Sequence, residues 1–304
     1  MQKKYVLSNS RVAESTDDSG SILVFVNPDD GEKRYLIDEL KVDEHTLNSS
    51  LDPDEVSRLE FEPTHVALIF KQPKNYSGKE VLLFRVASTG IFLFKERLVI
   101  ILSEDLPLFE GKPFSKVMSL PEITLKLIYR SIFHFLEHLK IINMISDELE
   151  KKINAAMENS YLINLFTLEK SLVYYLNSIN SNGVLIEKLK NNSAKVGFVG
   201  EEVEFLDDML IENNQCYRQA EIYSNILASL MDARASIVGN NLNVLMKTLN
   251  IITIGIMVPT FVVSAFSMNV AIPMQQFSHA FWVIMGLAFL SVAGLIVYWR
   301  KKKW

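Results

Sequence analysis

The strongest constraint on this chain is a long uncharged stretch near its end. Residues 248–299 contain no Asp, Glu, Lys or Arg, while Lys247 precedes the stretch and Arg300 begins a basic cluster after it. Of the 31 basic and 36 acidic residues, five basic ones and no acidic one lie in the last sixty positions, so the first 244 residues carry a net charge of −10. The sequence therefore predicts an acidic, water-exposed body followed by an apolar segment that ends in positive charge.

The uncharged stretch is long enough to cross a bilayer twice. A first span at 248–267 and a second span at 280–299 can each cross a hydrocarbon core of about 30 Å at about 1.5 Å per residue. The short connection 268–279 predicts an antiparallel hairpin, and the basic tail 300–304 fits the positive-inside rule. We expect both termini to face the cytoplasm, and no signal peptide is expected behind Met1. A pair of buried core helices is the alternative.

The residues before the spans form two patterns. Residues 1–118 alternate short apolar runs with turn signals, which predicts a small cytoplasmic α/β domain. Predicted strands are 21–26, 64–70, 81–86, 90–94 and 98–102, and predicted short helices are 38–48 and 52–58. From Ser119 the pattern is helical: a helical hairpin at 119–199 opens on a Ser119–Glu122 capping box, and a stalk helix at 200–247 follows the break at Gly197–Gly200. The fold class is thus an α+β membrane protein with a helical stalk and two C-terminal transmembrane helices.

Polar and sulfur-bearing side chains of the first span share one helical face. They recur at alternating gaps of three and four residues, which places them on one stripe. The eight positions are Asn243, Met246, Asn250, Thr253, Met257, Thr260, Ser264 and Ser267. Two interpretations are open. Several copies that turn this stripe inward would enclose a pore, with Met rings as hydrophobic constrictions. The same residue types also mediate helix–helix packing in membranes.

The end of the first span resembles the CorA family of magnesium transporters. The resemblance rests on Met246-Lys247, Pro259-Thr260 and Ser267-Met268-Asn269, followed by a short connection, one more span and a Lys-rich tail. It implies a homopentamer in the cytoplasmic membrane that conducts divalent cations passively, driven by the membrane potential, and it implies neither an enzyme nor a nucleic-acid partner. The implied selectivity filter is Ser267, Met268 and Asn269. The implied pore lining is Asn243, Asn250, Thr253, Thr260 and Ser264, and the implied hydrophobic gate is Met246, Leu249 and Met257.

Two departures from the family pattern leave the transported ion open. The family motif is Gly-Met-Asn, and this chain carries Ser267 in place of the glycine. The family connection commonly carries an acidic residue after a proline, whereas Pro273 is followed here by Met274, Gln275 and Gln276. Magnesium is the expected ion. Zinc, with or without proton coupling, and cobalt or nickel are the alternatives.

The resemblance also implies a regulatory magnesium site. In the family, intracellular Mg²⁺ bound by carboxylates between subunits holds the channel closed, and Mg²⁺ prefers such oxygen ligands. Asp207 and Asp208, near the start of the stalk helix, are the candidate sensor residues. A solvated acidic helix start explains the same residues without a metal. The partner carboxylate is not identified by the sequence.

One motif points to a different chemistry. His134, Glu137 and His138 have the HxxEH spacing, which places two imidazoles on one helical face where they can hold zinc. The sequence supplies no clear third ligand, so an amphipathic helix that happens to carry two histidines is the simpler interpretation. A membrane-anchored metallopeptidase and a non-transporting membrane scaffold remain as alternative functions. The single cysteine, Cys216, is expected to be structural.

Overall fold

The chain divides into two compact units. The computed structural model describes residues 1–15, 20–75, 82–155, 159–270 and 276–302. The first unit is Met1–Met231 and the second is Asp232–Trp304. One helix, Glu201–Ala265, contributes residues to both units.

The first unit is built on a seven-stranded sheet within the described residues. Its strand order is β2-β1-β3-β7-β6-β5-β4, and only the β3–β7 pair is parallel. The strands are β1 Gln2–Ser8, β2 Arg11–Glu14, β3 Ile22–Val26, β4 Arg58–Phe61, β5 His65–Pro73, β6 Val86–Phe94 and β7 Leu98–Leu102. All five residues of β3 and of β7 are buried. Continuous apolar runs in these two strands follow from a sheet that is covered on both faces.

The strand predictions are right in the centre of the sheet and wrong at its periphery. The predicted strands 21–26, 64–70 and 98–102 correspond to β3, β5 and β7. The predicted strand 81–86 is wrong over 82–85, which precede β6, and residue 81 lies outside the described residues. Residues 90–94 are the second half of β6 rather than a separate strand. The sequence interpretation also missed β1, β2 and β4.

Short helices cover one face of the sheet. They are α1 Asp30–Arg34, a π-helical turn at Tyr35–Glu39, and α2 Glu44–Ser49. The predicted single helix 38–48 is wrong, because Lys41 has a φ of 57° and Asp43 starts a new helix by accepting a hydrogen bond from the Thr46 N–H. The predicted helix 52–58 is also wrong. The Asp52 carboxylate accepts from the Asp54 N–H, and the buried Lys71 ammonium donates to the Pro53 carbonyl at 2.8 Å, so this segment is a turn.

The long helices lie on the other face, where the first two contact the strands and the last packs on those two helices. They are α3 Leu120–Ala155, α4 Asn159–Asn191, the short α5 Ser193–Val196, and α6 Glu201–Ala265. The Glu122 N–H donates to the Ser119 hydroxyl at 3.0 Å, as the predicted cap requires. The chain breaks between α5 and α6 at Gly197 and Gly200, whose φ values of 95° and 48° suit glycine.

The core of the first unit has two parts, one on each face of the sheet. Alternate residues of β3 and β7 point to opposite sides, as strand geometry requires. The smaller cluster joins Leu23, Phe25, Val99 and Ile101 to the short helices through Leu36 and Leu47. The larger cluster joins the other face to α3, α4 and α6. Its members from α6 are Leu206, Met209, Cys216, Ala220 and Leu227.

The second unit contains two helices in its described part. They are the part of α6 that follows Met231 and the whole of α7, Ala280–Lys302. Both helices are long and apolar enough to cross a membrane. In the most apolar 18-residue window of α6, no residue is buried inside the chain. In the corresponding window of α7, 6% of the residues are buried. The alternative of two buried core helices is therefore wrong, because the apolar side chains of a core helix are covered by protein. Two exposed apolar helices fit a protein that spans a membrane.

Candidate functional site

The polar stripe of the first span lies on an open face of α6. All eight of its side chains, from Asn243 to Ser267, are exposed in the single chain. The three residues assigned to the hydrophobic gate are exposed as well, at 51% for Met246, 56% for Leu249 and 63% for Met257. An exposed stripe in an apolar helix requires a partner other than lipid, because polar groups in a membrane face protein or water.

The opposite face of the same helix packs against α7. The less exposed residues of α6 in this region recur every three or four positions, and they include Ile251, Gly255, Val258, Val262 and Ala265. On α7 the corresponding less exposed residues are Ile284, Ala288, Ser291 and Leu295. The stripe residues from Asn243 to Met257 lie outside the groove between α6 and α7, whereas Thr260, Ser264 and Ser267 line it. Helix–helix packing and pore lining therefore both remain as interpretations of the stripe.

A groove between the two helices gives their register. It has a volume of about 620 Å³ and is lined by Pro259, Thr260, Val263 and Ser264 of α6, by Ser267 just after that helix, and by Met285, Ala288, Phe289 and Val292 of α7. Thr260, Ser264 and Ser267 belong to the polar stripe, so this part of the stripe borders the groove. Because a short connection joins the end of α6 to the start of α7, the helices run antiparallel on either side of this groove.

Hydroxyl groups on the stripe have their protons committed to the helix backbone. The Thr253 hydroxyl donates to the Leu249 carbonyl at 2.8 Å, and the Thr260 hydroxyl donates to the Ile256 carbonyl at 2.7 Å. A hydroxyl has one proton and two lone pairs, so each of these oxygens can act only as an acceptor toward anything beside the stripe. Water bound to a cation presents its protons outward. These hydroxyl oxygens thus suit the outward protons of a hydrated cation, while the Asn243 and Asn250 amides of the stripe can both donate and accept.

The Ser-Met-Asn segment follows directly after the end of α6. The helix ends at Ala265, and Ser267, Met268 and Asn269 are all exposed. The Ser267 N–H and hydroxyl both donate to the Ser264 carbonyl, at 3.1 and 2.9 Å. None of the three residues has a positive φ. The backbone conformation here therefore does not require glycine, and the serine side chain closes the end of the helix.

The electrostatics of this helix end favour cations. The C-terminus of a helix carries a partial negative charge of about half an electron from its unpaired carbonyl groups. No acidic residue lies between Ser267 and Ala280. Pro273, Met274 and Gln275 lie outside the described residues, and Gln276 is exposed in a turn. Helix carbonyls and the Asn269 amide, together with the exposed Gln276, Ser278 and His279, are polar groups that the described part of the chain offers to an approaching ion.

The two candidate sensor carboxylates face different neighbours. Asp207 is paired with Lys190 of α4, and both side chains are partly exposed. Asp208 lies toward Tyr129 of α3, and burial, followed by the charges of Glu212 and Asp208, raises the pKa of that tyrosine. Within the described residues, no group of three or more His, Cys, Asp or Glu side chains is arranged to hold a metal. No sequence pattern pointed to Lys190, which is brought to Asp207 only by the packing of α4 against α6.

The HxxEH residues are arranged for packing rather than for zinc. His138 is buried, and its Nδ1 lies 2.6 Å from the Tyr175 hydroxyl. Burial, followed by the nearby His134, lowers the pKa of His138 to about 4. The two imidazoles contact each other with ring centroids 4.6 Å apart, while Glu137 is exposed. One imidazole is thus engaged by a tyrosine, and the described residues offer no third metal ligand.

Cys216 is buried in the core of the first unit. Its side chain has no exposed surface, and burial, followed by Glu212, raises the pKa of the thiol to about 12. A thiol in such a setting is inert, because the thiolate is the reactive form. This placement agrees with the structural role expected from the sequence.

Comparison with known proteins places the whole architecture in one family. The family model described as "CorA-like Mg2+ transporter protein" matches residues 17–301. The cobalt/magnesium transport protein CorA of Methanocaldococcus jannaschii is 24% identical over 290 residues, which cover 91% of this chain and 89% of that protein. The magnesium transport protein CorA of Yersinia pseudotuberculosis is 20% identical, with 98% and 96% of the two chains covered.

A solved structure shares the fold over nearly its full length. The complete structure of the CorA magnesium transporter from Methanocaldococcus jannaschii matches with a TM-score of 0.82 at 19% identity. The match covers 98% of this chain and 96% of that one. The soluble α/β part, the long helix and the two apolar helices therefore all have counterparts in a CorA structure. This chain belongs to the CorA-like family, whose members are divalent-cation transporters and not enzymes.

Proposed function

We propose that this protein is a magnesium channel that works as a homopentamer in the cytoplasmic membrane. The observation that carries the proposal is the exposed polar stripe of α6, whose residues from Asn243 to Met257 lie outside the groove between α6 and α7. Five copies that turn the stripe inward enclose a polar path, while α7 faces lipid. The relatives named as magnesium or cobalt/magnesium transporters support the choice of ion. Flow is passive and follows the membrane potential.

The proposed pore has three parts along the first span. Ser267, Met268 and Asn269 form the outer mouth, where amide and helix carbonyl oxygens accept from the water shell of Mg²⁺, which dehydrates reluctantly. Below it the lining consists of Ser264, Thr260, Thr253, Asn250 and Asn243. The hydrophobic gate consists of Met257, Leu249 and Met246, whose apolar rings close the path when water leaves it. Hydroxyls that act only as acceptors support the passage of a hydrated cation through this lining.

We further propose that intracellular Mg²⁺ regulates the channel through Asp208, with Asp207 as the second candidate. Asp208 and Glu212 are one helical turn apart on α6, and both, after burial, raise the pKa of Tyr129, so the charge of this part of the helix favours a cation. Asp207 is paired with Lys190, and a cation that binds there must displace the lysine. In this proposal, residues 1–199, the stalk 200–247 and the basic tail 300–304 lie in the cytoplasm. The excess of positive charge at that end of the spans supports this orientation.

Ion uptake into liposomes tests the proposal. Purified protein is reconstituted, and influx of Mg²⁺, Zn²⁺, Co²⁺ and Ni²⁺ is compared under an inside-negative potential, with and without a pH gradient. We expect potential-driven Mg²⁺ influx that Asn269→Ala abolishes. The matched control is Asn241→Ala, which removes an amide from the opposite face of α6.

Each other outcome selects another function. Zinc influx that follows the pH gradient would make the protein a proton-coupled zinc transporter of the same fold. Cobalt or nickel influx without magnesium influx would change the ion and keep the pore. No flux of any ion, from protein shown to be oligomeric, would contradict the channel and favour a membrane scaffold.

A further inference from the structure

Charged side chains flank the two spans at one end only. No acidic side chain occurs at 233–304. Apart from Arg234, the basic residues of the described part of this unit are Lys247, Arg300, Lys301 and Lys302, which we name the basic belt. Residues 233–302 thus carry these positive side chains and no Asp or Glu, and such an excess of positive charge attracts anions at its surface.

The antiparallel register brings the belt residues to one level. The groove between the helices is centred near Val263 on α6 and Ala288 on α7. Lys247 precedes Val263 by sixteen residues, which is about 24 Å along α6, and Lys302 follows Ala288 by fourteen residues, which is about 21 Å along α7. Because the helices are antiparallel, both distances run toward the same end of the hairpin. The belt is therefore compact along the membrane normal, although its residues come from both helices.

Aromatic side chains mark this level as a membrane interface. Tyr298 is 56% exposed, and the Lys302 ammonium lies 5.6 Å from the centroid of its ring. Trp299 is the adjacent residue. Tyr and Trp concentrate at the level of lipid headgroups, where their apolar rings meet the acyl chains and their polar ends meet water. The positive charges of the belt are thus placed where lipid phosphates lie.

We propose that the basic belt is a binding surface for anionic phospholipids of the bilayer. The argument is one of charge complementarity: lipid phosphates with a net negative charge meet a ring of lysine and arginine at the same depth. Each basic residue near an anionic membrane surface contributes about a fivefold increase in binding. The proposal goes beyond ion conduction, and it stands whether the transported ion is magnesium or zinc.

Fluorescence quenching by brominated lipids tests the proposal on the full-length protein. Trp282 lies at the far end of α7, so it is replaced by Phe, and the remaining tryptophans, Trp299 and Trp304, lie next to the belt in sequence. Quenching is compared in vesicles that contain brominated phosphatidylglycerol or brominated phosphatidylcholine. We expect at least a fivefold preference for phosphatidylglycerol. This preference should weaken in 0.5 M NaCl, because salt screens surface charge and shortens the Debye length from about 10 Å at 0.1 M toward about 3 Å at 1 M.

Variants decide whether the belt is responsible. Replacement of Arg300, Lys301 and Lys302 by Gln should reduce the preference to less than twofold, and Lys301→Gln alone should reduce it in part if the triple variant does not fold. The matched control is Arg234→Gln, which removes a positive charge about 20 Å away from Lys247 along α6 and should leave the preference unchanged. Equal quenching by the two lipids, a preference that survives the triple replacement, or a preference removed by soluble glycerol phosphate would overturn the proposal.

Discussion

Acidification should destabilise the first unit through the buried His138. Its side chain is 5% exposed, its Nδ1 lies 2.6 Å from the Tyr175 hydroxyl, and its ring also contacts Phe84 and His134. Among the residues that the structure describes, no carboxylate stabilises a positive charge on the ring, and burial, followed by His134, lowers the pKa of His138 to about 4. The folded protein therefore resists protonation of this residue, whereas the unfolded chain accepts the proton at an ordinary pKa of about 6.5.

The size of the effect follows from the difference between the two pKa values. Because the unfolded state binds more protons between these values, stability is complete above about pH 7 and falls as the pH decreases. The loss from His138 is about 2 kcal/mol at pH 5 and approaches about 3.4 kcal/mol below pH 4. For a unit of this size, about 2 kcal/mol corresponds to a decrease of roughly 4–8 °C in the melting temperature.

Thermal unfolding of the detergent-solubilised protein, followed by circular dichroism at 222 nm, measures this loss at pH 7 and pH 5. His138→Gln keeps a polar partner for Tyr175 and cannot be protonated, so its melting temperature should fall by about 4–8 °C less than that of the natural protein. His45→Gln, at an exposed site, is the control and should behave like the natural protein. Burial also lowers the pKa of His134 and of His65, so some acid sensitivity remains in every variant. Equal losses for His138→Gln and the natural protein would refute the reasoning.

Three further predictions concern other parts of the chain. Iodoacetamide should label Cys216 of the folded protein at least a hundredfold more slowly than that of protein in urea, because its thiol is buried and its pKa is about 12; rapid labelling would contradict the burial. Gly90→Ala should destabilise the sheet by about 1–3 kcal/mol, because the new Cβ meets the Ser50 Cβ at 2.5 Å. The control is Gly239→Ala, whose new Cβ meets no atom within 4 Å and should not destabilise the protein. Urea unfolding measures the stability of both variants, and equal effects would argue against this packing. Ser267→Ala should reduce Mg²⁺ flux about two- to tenfold through loss of the hydrogen bond that ends α6, and Ser267→Thr should keep the flux. The control is Ser291→Ala, which loses the equivalent bond to the Ala288 carbonyl on α7, and a flux reduced as much by this control would remove Ser267 from the mouth.

The sheet shows where sequence patterns are informative. Strands β3 and β7 are buried on both faces, so their residues are apolar throughout and stand out from the flanking turns. Strands β1, β2 and β4 lie toward the edges, contain Lys, Arg or Glu, and are only partly buried, so nothing in their local composition distinguishes them from loops. The predicted helix at 52–58 failed for a related reason. Its acidic turn is fixed by the buried Lys71, which is distant in sequence.

Properties that depend on one segment at a time could be predicted from the amino-acid sequence. Two uncharged stretches of bilayer length, the break before α6 and the grouping of eight polar or sulfur-bearing residues on one helical face all follow from local composition and helical periodicity. The packing of distant segments set which residues of α6 line the groove with α7 and which residues of the stripe lie outside it. It also decided that Asp207 meets Lys190 and that His138 is buried against Tyr175. The physical reason is that periodicity fixes the direction of a side chain relative to its own helix, whereas the partner it meets is set by the packing of distant segments, which no local pattern records.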